Sequence, residues 1–375
     1  MSSTAAPRST EGAGSRTQGQ HIAEGAMGRD YGRHSGVQHH ANDYGIPVLR
    51  RALEAVPLPE TGAPFRAADL GAASGSNSLD PMRVVVEGVR ARAGADTAVT
   101  VVHTDILAND FDALLATIMD SPGSYAREPG VFAYAEARSF YEPLFPAGEL
   151  HLAWSAIAVH GLSRVPEPIP DHIFSSRARG EVREALKAQS RADWEAFLGH
   201  RARELRPGGQ LVVVGGAASD DGDSGADGLM DAAVEVLREL VRQGLIGEDE
   251  FARMTIPTWN RTAGEFLAPF REGSGEGREG GLGDVLRVEE HEQVVLPDVL
   301  LERYRESGNR EAYADQVTAF FLAAFQPSLF SALGEKRDVG VVAEALAEGM
   351  RTRVASDPEA VETHWHVLPM RVTRL

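Results

Sequence analysis

The chain has 375 residues, of which 43% are apolar, and carries a formal net charge of −18. That is enough for one large α/β unit with an appended cap or for two domains, and so acidic a chain argues against a general nucleic-acid or anionic-membrane surface. It holds no cysteine, which excludes disulfides, thiolate chemistry and cysteine-ligated zinc.

No run of about 18 apolar residues is present, so no membrane-spanning helix is expected. Residues 1–25 are rich in Ser, Thr, Gly and Ala and lack the apolar stretch of a signal peptide. They read as a disordered lead into a soluble, cytoplasmic protein. Met27 to Arg51 is locally basic, with Arg29, Arg33, Arg50, Arg51 and three histidines against Asp30 and Asp43. It reads either as a solvated amphipathic helix or as an arm that meets an anionic ligand.

Arg66 to Gly71 reads as a short buried strand. It runs into the turn Ala72-Ala73-Ser74-Gly75-Ser76-Asn77, with a helix from about Leu79 to Ala93. Such a unit suits a nucleotide, because glycine lets the backbone approach the ligand and the helix N-terminus offers free N–H groups. The spacing is G-x-x-x-G, not the G-x-G-x-x-G of dinucleotide folds. Val99 to His103 is a β-branched second strand ending at Asp105, which either meets a ligand or caps the helix beginning near Asp110. Gly130 to Tyr134 and Leu150 to Ala158 are candidate third and fourth strands. A helix from about Glu181 to Leu205 stops at Arg206-Pro207-Gly208-Gly209, and Gln210 to Val214 is a further buried strand.

Alternation then weakens. Ser219 to Gly228 is a glycine-rich loop, and Leu229 to Val241 has the apolar spacing of an amphipathic helix. A second glycine-rich loop spans Glu272 to Gly283. Val285 to Pro297 reads as a strand, Ala312 to Phe330 as a helix, and His364 to Leu375 as a final strand. The expected layout is α/β: a Rossmann-like core over 26–217, a helical cap over 218–310 inserted into a doubly wound sheet, and a return to that sheet over 311–375.

Four blocks in order resemble one family, the SABATH methyltransferases. Tyr31-Gly32-Arg33-His34-Ser35-Gly36-Val37-Gln38 is similar to its S-Y-A-x-N-S-x-x-Q arm. Ala68-Asp69-Leu70-Gly71-Ala72-Ala73-Ser74-Gly75-Ser76-Asn77 is similar to A-D-L-G-C-S-S-G-P-N, and Asp105 to Phe111 to D-L-P-x-N-D-F. Ser139-Phe140-Tyr141 through Pro166 resembles S-F-Y-x-x-L-F-P…L-H…S-L-H-W-L-S-x-V-P. The resemblance implies the class I methyltransferase fold, S-adenosyl-methionine as methyl donor and S-adenosyl-homocysteine as product. It further implies a homodimer and methyl esterification of a small hydrophobic acid (aromatic, indolyl or terpenoid). No metal, nucleic acid or membrane is expected to take part.

Residue by residue, the resemblance assigns Tyr31, Ser35, Gln38, Asp69, Gly71, Gly75, Asn77, Asp105, Ile106, Ser139 and Phe140 to the cofactor. Gln38 and His160 are implied to position the acceptor. Tyr31, Gln38, Ile157, His160, Gly161, Leu229, Met230, Trp259, Phe320 and Trp365 are implied to surround it, although apolar residues at helical spacing are also what a core requires. The family tryptophan after His160, whose indole N–H helps to hold the acceptor carboxylate, is Gly161 here. The family S-S-Y is Ser155-Ala156-Ile157. Both departures fall on the acceptor side. They leave open an N- or O-methyltransferase of a neutral heterocycle or phenol, for which His160 is the candidate base.

Overall fold

The computed structural model describes residues 36–271 and 281–375, the side chains of 36–39 excepted. The lead at 1–25, the basic arm up to Ser35 and most of the second glycine-rich loop lie outside the described residues.

Strand β1 is Phe65–Leu70, β2 Val99–Asp105, β3 Val131–Ala137, β4 Leu150–Ala156 and β5 Leu205–Ala217. These five run parallel in the order β3-β2-β1-β4-β5. Parallel neighbours need long crossovers. Helices α1 (Gly36–Ala55), α2 (Leu79–Ala93), α3 (Phe111–Asp120) and α4 (Gly180–Glu204) flank the sheet. Five of the six β1 residues are buried, as in a strand covered on both faces. Beyond β5 the sheet turns antiparallel. Strand β8 (His366–Arg374) pairs with β5, and β6 (Leu286–His291) and β7 (Val294–Val295) both pair with β8.

The strand order reverses between β1 and β4. In open α/β sheets a crevice forms at that point, outside the carboxyl ends of the strands. Helix α1 leans on the same region. A Cβ on Gly45 would collide with Val214 and Trp154, so the helix approaches the sheet through that glycine.

A separate apolar core holds the helical layer. It joins α5 (Asp227–Arg242) to three later helices, α7 (Val299–Ser307), α8 (Arg310–Phe330) and α9 (Val339–Ser356). Leu229, Met230, Leu237, Phe321, Leu346 and Met350 are buried in it. The helical layer is therefore not one continuous 218–310 segment. Helix α6 (Ala263–Arg271) packs Phe266 against the sheet core, and β6 belongs to the sheet. The chain rejoins the sheet at Leu286, ahead of the expected 311, leaves it after Val295 and comes back at His366.

Two local differences concern the strands. The Arg206 to Gly209 turn does not interrupt β5; it is absorbed as an irregularity, with Gly208 at φ +77° and a register shift against Leu150 and Leu152. The strand expected over Val285 to Pro297 splits into β6 and β7. Among the described residues no helix is long and apolar enough to cross a membrane.

Candidate functional site

The crevice at the strand reversal opens into a cavity of about 140 Å³. Its floor is the turn after β1. Gly71 (φ +85°) donates its N–H to Thr104 O at 2.9 Å, and Ala72 donates to the same oxygen at 3.1 Å. A Cβ on Gly71 would lie 2.5 Å from that of Ala158 and 3.2 Å from the Phe140 ring, so only glycine fits. Ala73 follows in the left-handed region at φ +47°. It is clamped from both sides. Asp105 Oδ2 accepts its N–H at 2.7 Å, and Asn109 Nδ2 donates to its carbonyl at 2.8 Å. Asp105 Oδ1 accepts from the Ile106 N–H at 2.8 Å.

Helix α3 is capped by Asp110, whose carboxylate accepts from the Ala113 N–H. Asp105 is therefore not the cap; it lines the cavity. Burial pushes its carboxyl up to about 6, the nearby Asp69 adds to the rise, and the two N–H donors oppose it. Asp69 also lines the cavity, with Oδ2 at 2.8 Å from His103 Nδ1. His103 in turn meets the Tyr125 hydroxyl, and all three residues are buried. Burial raises the Tyr125 phenol above its ordinary value, and the Asp69 charge adds to that.

The opposite wall is the segment after β4. Ile157 adopts φ +49°, which is unfavourable for a β-branched side chain. Ala73 and Ile157 are the two non-glycine left-handed residues among those described, and both line this cavity. Strain of this kind costs roughly 1–3 kcal/mol per residue and persists only where the surroundings fix it. Here Val214 O accepts from Ile157 N at 2.8 Å, Pro257 O from Leu162 N at 2.8 Å, and His160 O from Trp259 N at 2.8 Å. The Tyr141 hydroxyl meets Gly161 O at 2.5 Å and Val159 O at 3.2 Å. The guanidinium of fully buried Arg261 donates to Val159 O and, at 2.7 Å, to Ser190 O.

His160 lines the cavity and is held neutral. Burial, and then the Arg261 charge, push it down to about 4. Among the described residues its Nδ1 is buried without a hydrogen-bond partner, as are Asn42 Oδ1 and Thr258 Oγ1 on residues of the same cavity. Buried polar atoms are rarely left so, and each carries a cost that a bound polar group offsets.

A second cavity of about 240 Å³ lies beside the first. Leu229, Val317, Phe320 and Trp365 form apolar walls, with His40 and Arg303 also lining it. The Phe320 and Phe325 rings meet edge-on at 6.0 Å, and Phe325 lines the first cavity, so this pair stands between the two. Trp365 Nε1 is a buried N–H with no partner among the described residues.

The structure thus gathers Asp69, Gly71, Asn77, Asp105, Ile106, Phe140, Ile157, His160 and Gly161 around one cavity, and Leu229, Phe320 and Trp365 around the next. It does not bring every expected residue there. Gly75 (φ +80°) leaves room for Leu114 and Ile118 of α3, a packing role. Ser139 accepts the Tyr141 N–H and lines neither cavity. Met230 is sealed inside the helical core. Trp259 gives its backbone N–H to His160 but turns its indole away, against Leu162, Ile169 and Leu186, with Nε1 donating to Glu265 at 3.1 Å. Tyr31 and Ser35 lie outside the described residues, as does the side chain of Gln38. Asn42, Asn109, Tyr141 and Arg261 were not anticipated as site residues. Asn109 and Tyr141 had a signal, as the asparagine of the D-L-P-x-N-D-F block and the tyrosine of the S-F-Y block; Asn42 and Arg261 are visible only in three dimensions.

The family model for SAM-dependent carboxyl methyltransferases matches residues 17–348. The chain belongs to that family. Among curated methyltransferases of this kind, it is 30% identical over 250 residues to gibberellic acid methyltransferase 2 of Arabidopsis thaliana, covering 59% of this chain and 63% of that protein. It is 31% identical over 311 residues to the O-methyltransferase acrG of Aspergillus aculeatus, covering 78% and 77%. The match to the Arabidopsis protein therefore spans a little under two thirds of its length. The solved loganic acid methyltransferase with SAH superposes with a TM-score of 0.73 at 22% identity, over 92% of this chain and 96% of that one. That likeness establishes the class I methyltransferase fold for this carboxyl methyltransferase family member.

Proposed function

We propose that the chain methylates the carboxylate of a small hydrophobic acid, giving the methyl ester and S-adenosyl-homocysteine. S-adenosyl-methionine supplies the methyl group from its sulfonium. Residues of the first cavity fit it. Asp105 offers a carboxylate for the ribose hydroxyls, Ile106 and Phe140 offer apolar surface, and the unpartnered Asn42 Oδ1 remains for a further donor.

The observation that carries the carboxylate reading is the state of the titratable groups around that cavity. Asp69 is bonded to His103, Asp105 holds two backbone N–H groups, and His160 is neutral with its proton affinity pushed down. None is suited to deprotonating a phenol. A carboxylic acid ordinarily titrates near pH 4, so it arrives ionised at pH 7 and needs no base. The chain's own work is then placement. It holds the acceptor oxygen in line and strips its water without binding it tightly enough to blunt its nucleophilicity.

Gly161 removes one indole donor from the family arrangement. The N–H of Trp365, buried and unpartnered on the wall of the second cavity, is the replacement we favour. Phe320 and Leu229 beside it suit an apolar body. The reading extends to a cytoplasmic homodimer, an expectation carried from the sequence.

The test is a screen with labelled S-adenosyl-methionine. Benzoic, indolyl, aryl-alkanoic and terpenoid acids are assayed beside a xanthine and a phenol. Ester formation from at least one acid is expected. Label transferred to the xanthine or the phenol and to no acid would overturn the reading.

A further inference from the structure

A cluster of three side chains lines neither cavity. Asp223 sits on the 218–226 loop that leads from β5 into α5. His364 and His366 flank Trp365 where the chain enters β8. Each of the three offers one donor atom, and these atoms all lie within 4.8 Å of one another. Asp223 Oδ2 is 2.9 Å from His364 Nε2, while Asp223 Oδ1 accepts the Gly225 N–H at 2.8 Å. The His366 ring is steadied from the β6–β7 side. Gln293 Nε2 lies 3.0 Å from its Nδ1 and donates to Ala218 O at 3.1 Å; for His366 Nε2 to ligate an ion, the Gln293 amide turns so that its Oε1 accepts the Nδ1 proton.

The backbone holds the two segments together without help. Gly225 O accepts from His364 N at 2.8 Å, and Ser224 O from His366 N at 3.4 Å. Asp221 adds negative charge nearby, hydrogen-bonded by Ser219.

We propose that Asp223, His364 and His366 bind a divalent transition-metal ion such as zinc, cobalt or nickel. Two imidazole nitrogens and one carboxylate oxygen are a donor set that such ions favour over calcium or magnesium, which prefer all-oxygen sites. Three protein ligands leave a position for water. The ion takes no part in the chemistry. It ties the loop ahead of α5 to the start of β8, and so fixes two walls of the second cavity, since Leu229 follows the loop and Trp365 lies between the two histidines.

The experiment uses untagged, EDTA-dialysed full-length chain. Cobalt(II) is added while the visible d–d bands are followed, and zinc binding is measured by calorimetry. Saturable binding of about one ion per chain is expected, with a higher thermal midpoint in zinc. His364→Gln with His366→Gln should abolish the bands, the heat and the zinc-induced rise. The midpoint without metal should stay at the wild-type value, because the backbone bonds remain. Asp223→Asn, which keeps the size of the side chain, should weaken binding without removing it. Absence of saturable binding to wild type, or binding unchanged in the double variant, overturns the proposal.

Discussion

At Asp105 one carboxylate orders the turn and faces the cavity. Burial raises it from 3.8 to about 6, so the linkage runs opposite to that of an ordinary surface carboxylate. Its contribution to stability is full below about pH 4 and is lost as pH rises through about 6, on the order of 3 kcal/mol in all. Ligand binding has the reverse sign, because ribose hydroxyls donate to the ionised form. We expect calorimetric affinity for S-adenosyl-homocysteine to fall as pH drops through about 6, with protons released on binding near that pH. Asp105→Asn should bind more weakly, by roughly 1–3 kcal/mol, and without that pH dependence. A wild-type affinity flat between pH 5 and 7.5 would remove Asp105 from the ribose. Trp365→Phe keeps a ring and deletes the N–H. A hydrogen bond to a charged acceptor is worth roughly 1.5–3 kcal/mol, so KM for the acid should rise about tenfold or more while cofactor affinity stays constant. An unchanged KM would show that the indole does not hold the carboxylate. Asp105 and Gly71 were legible because local sequence blocks carry them. Trp365 was legible as a residue beside the acceptor, but not its unpartnered N–H; the buried Arg261 was not legible at all, since its contacts come from segments far away in the chain.

At the scale of elements, the segment after β4 holds the main departure from the family pattern. Gly161 does not sit in the left-handed region, and a Cβ there would meet only Ala158 O, at 3.2 Å. A side chain can therefore be introduced with a small shift. An indole normally buries about 150–250 Å², so Gly161→Trp should fill part of the first cavity. Assayed over a size series, wild type should prefer bulkier acids, and the variant should shift towards benzoate-sized ones. A wild type that already prefers benzoate, with a variant that is merely inactive, would show that Gly161 does not set acceptor size. The strands and α2, α4, α5 and α8 were legible from β-branched runs and apolar spacing. Helices α7 and α9 were not. Alanine and glycine dilute the apolar pattern of α9, and its buried positions Val342, Leu346, Met350 and Val354 find their partners on α5 and α8 rather than in local sequence.

Over the whole molecule the excess of acidic groups opposes the approach of any anion. Arg303 stands exposed beside the second cavity and, among the described residues, forms no ion pair. A lone guanidinium there offsets the repulsion locally, at a range of about one Debye length, roughly 10 Å at 0.1 M salt. Arg303→Gln should raise KM for the acid at low ionic strength, and the difference from wild type should shrink as salt is added. A salt-independent difference would indicate direct contact rather than steering. The doubly wound sheet was legible because its motifs follow one another in chain order. The make-up of the helical layer was not, because its core is assembled from segments on either side of β6.

That interleaving bears on how the acceptor cavity behaves. The chain passes between sheet and helical layer four times, after β5, before α6, after β7 and before β8. A lid on one or two connections can swing about a hinge. A layer tied at four separated points has no single hinge to turn on, which restrains it against swinging as one body. The walls formed by Leu229, Phe320 and Trp365 are consequently expected to shift little on binding, so that little is spent on closing them. Such a cavity acts as a gauge: acids that match its outline lose little entropy on entry, and those slightly too long are refused rather than accommodated.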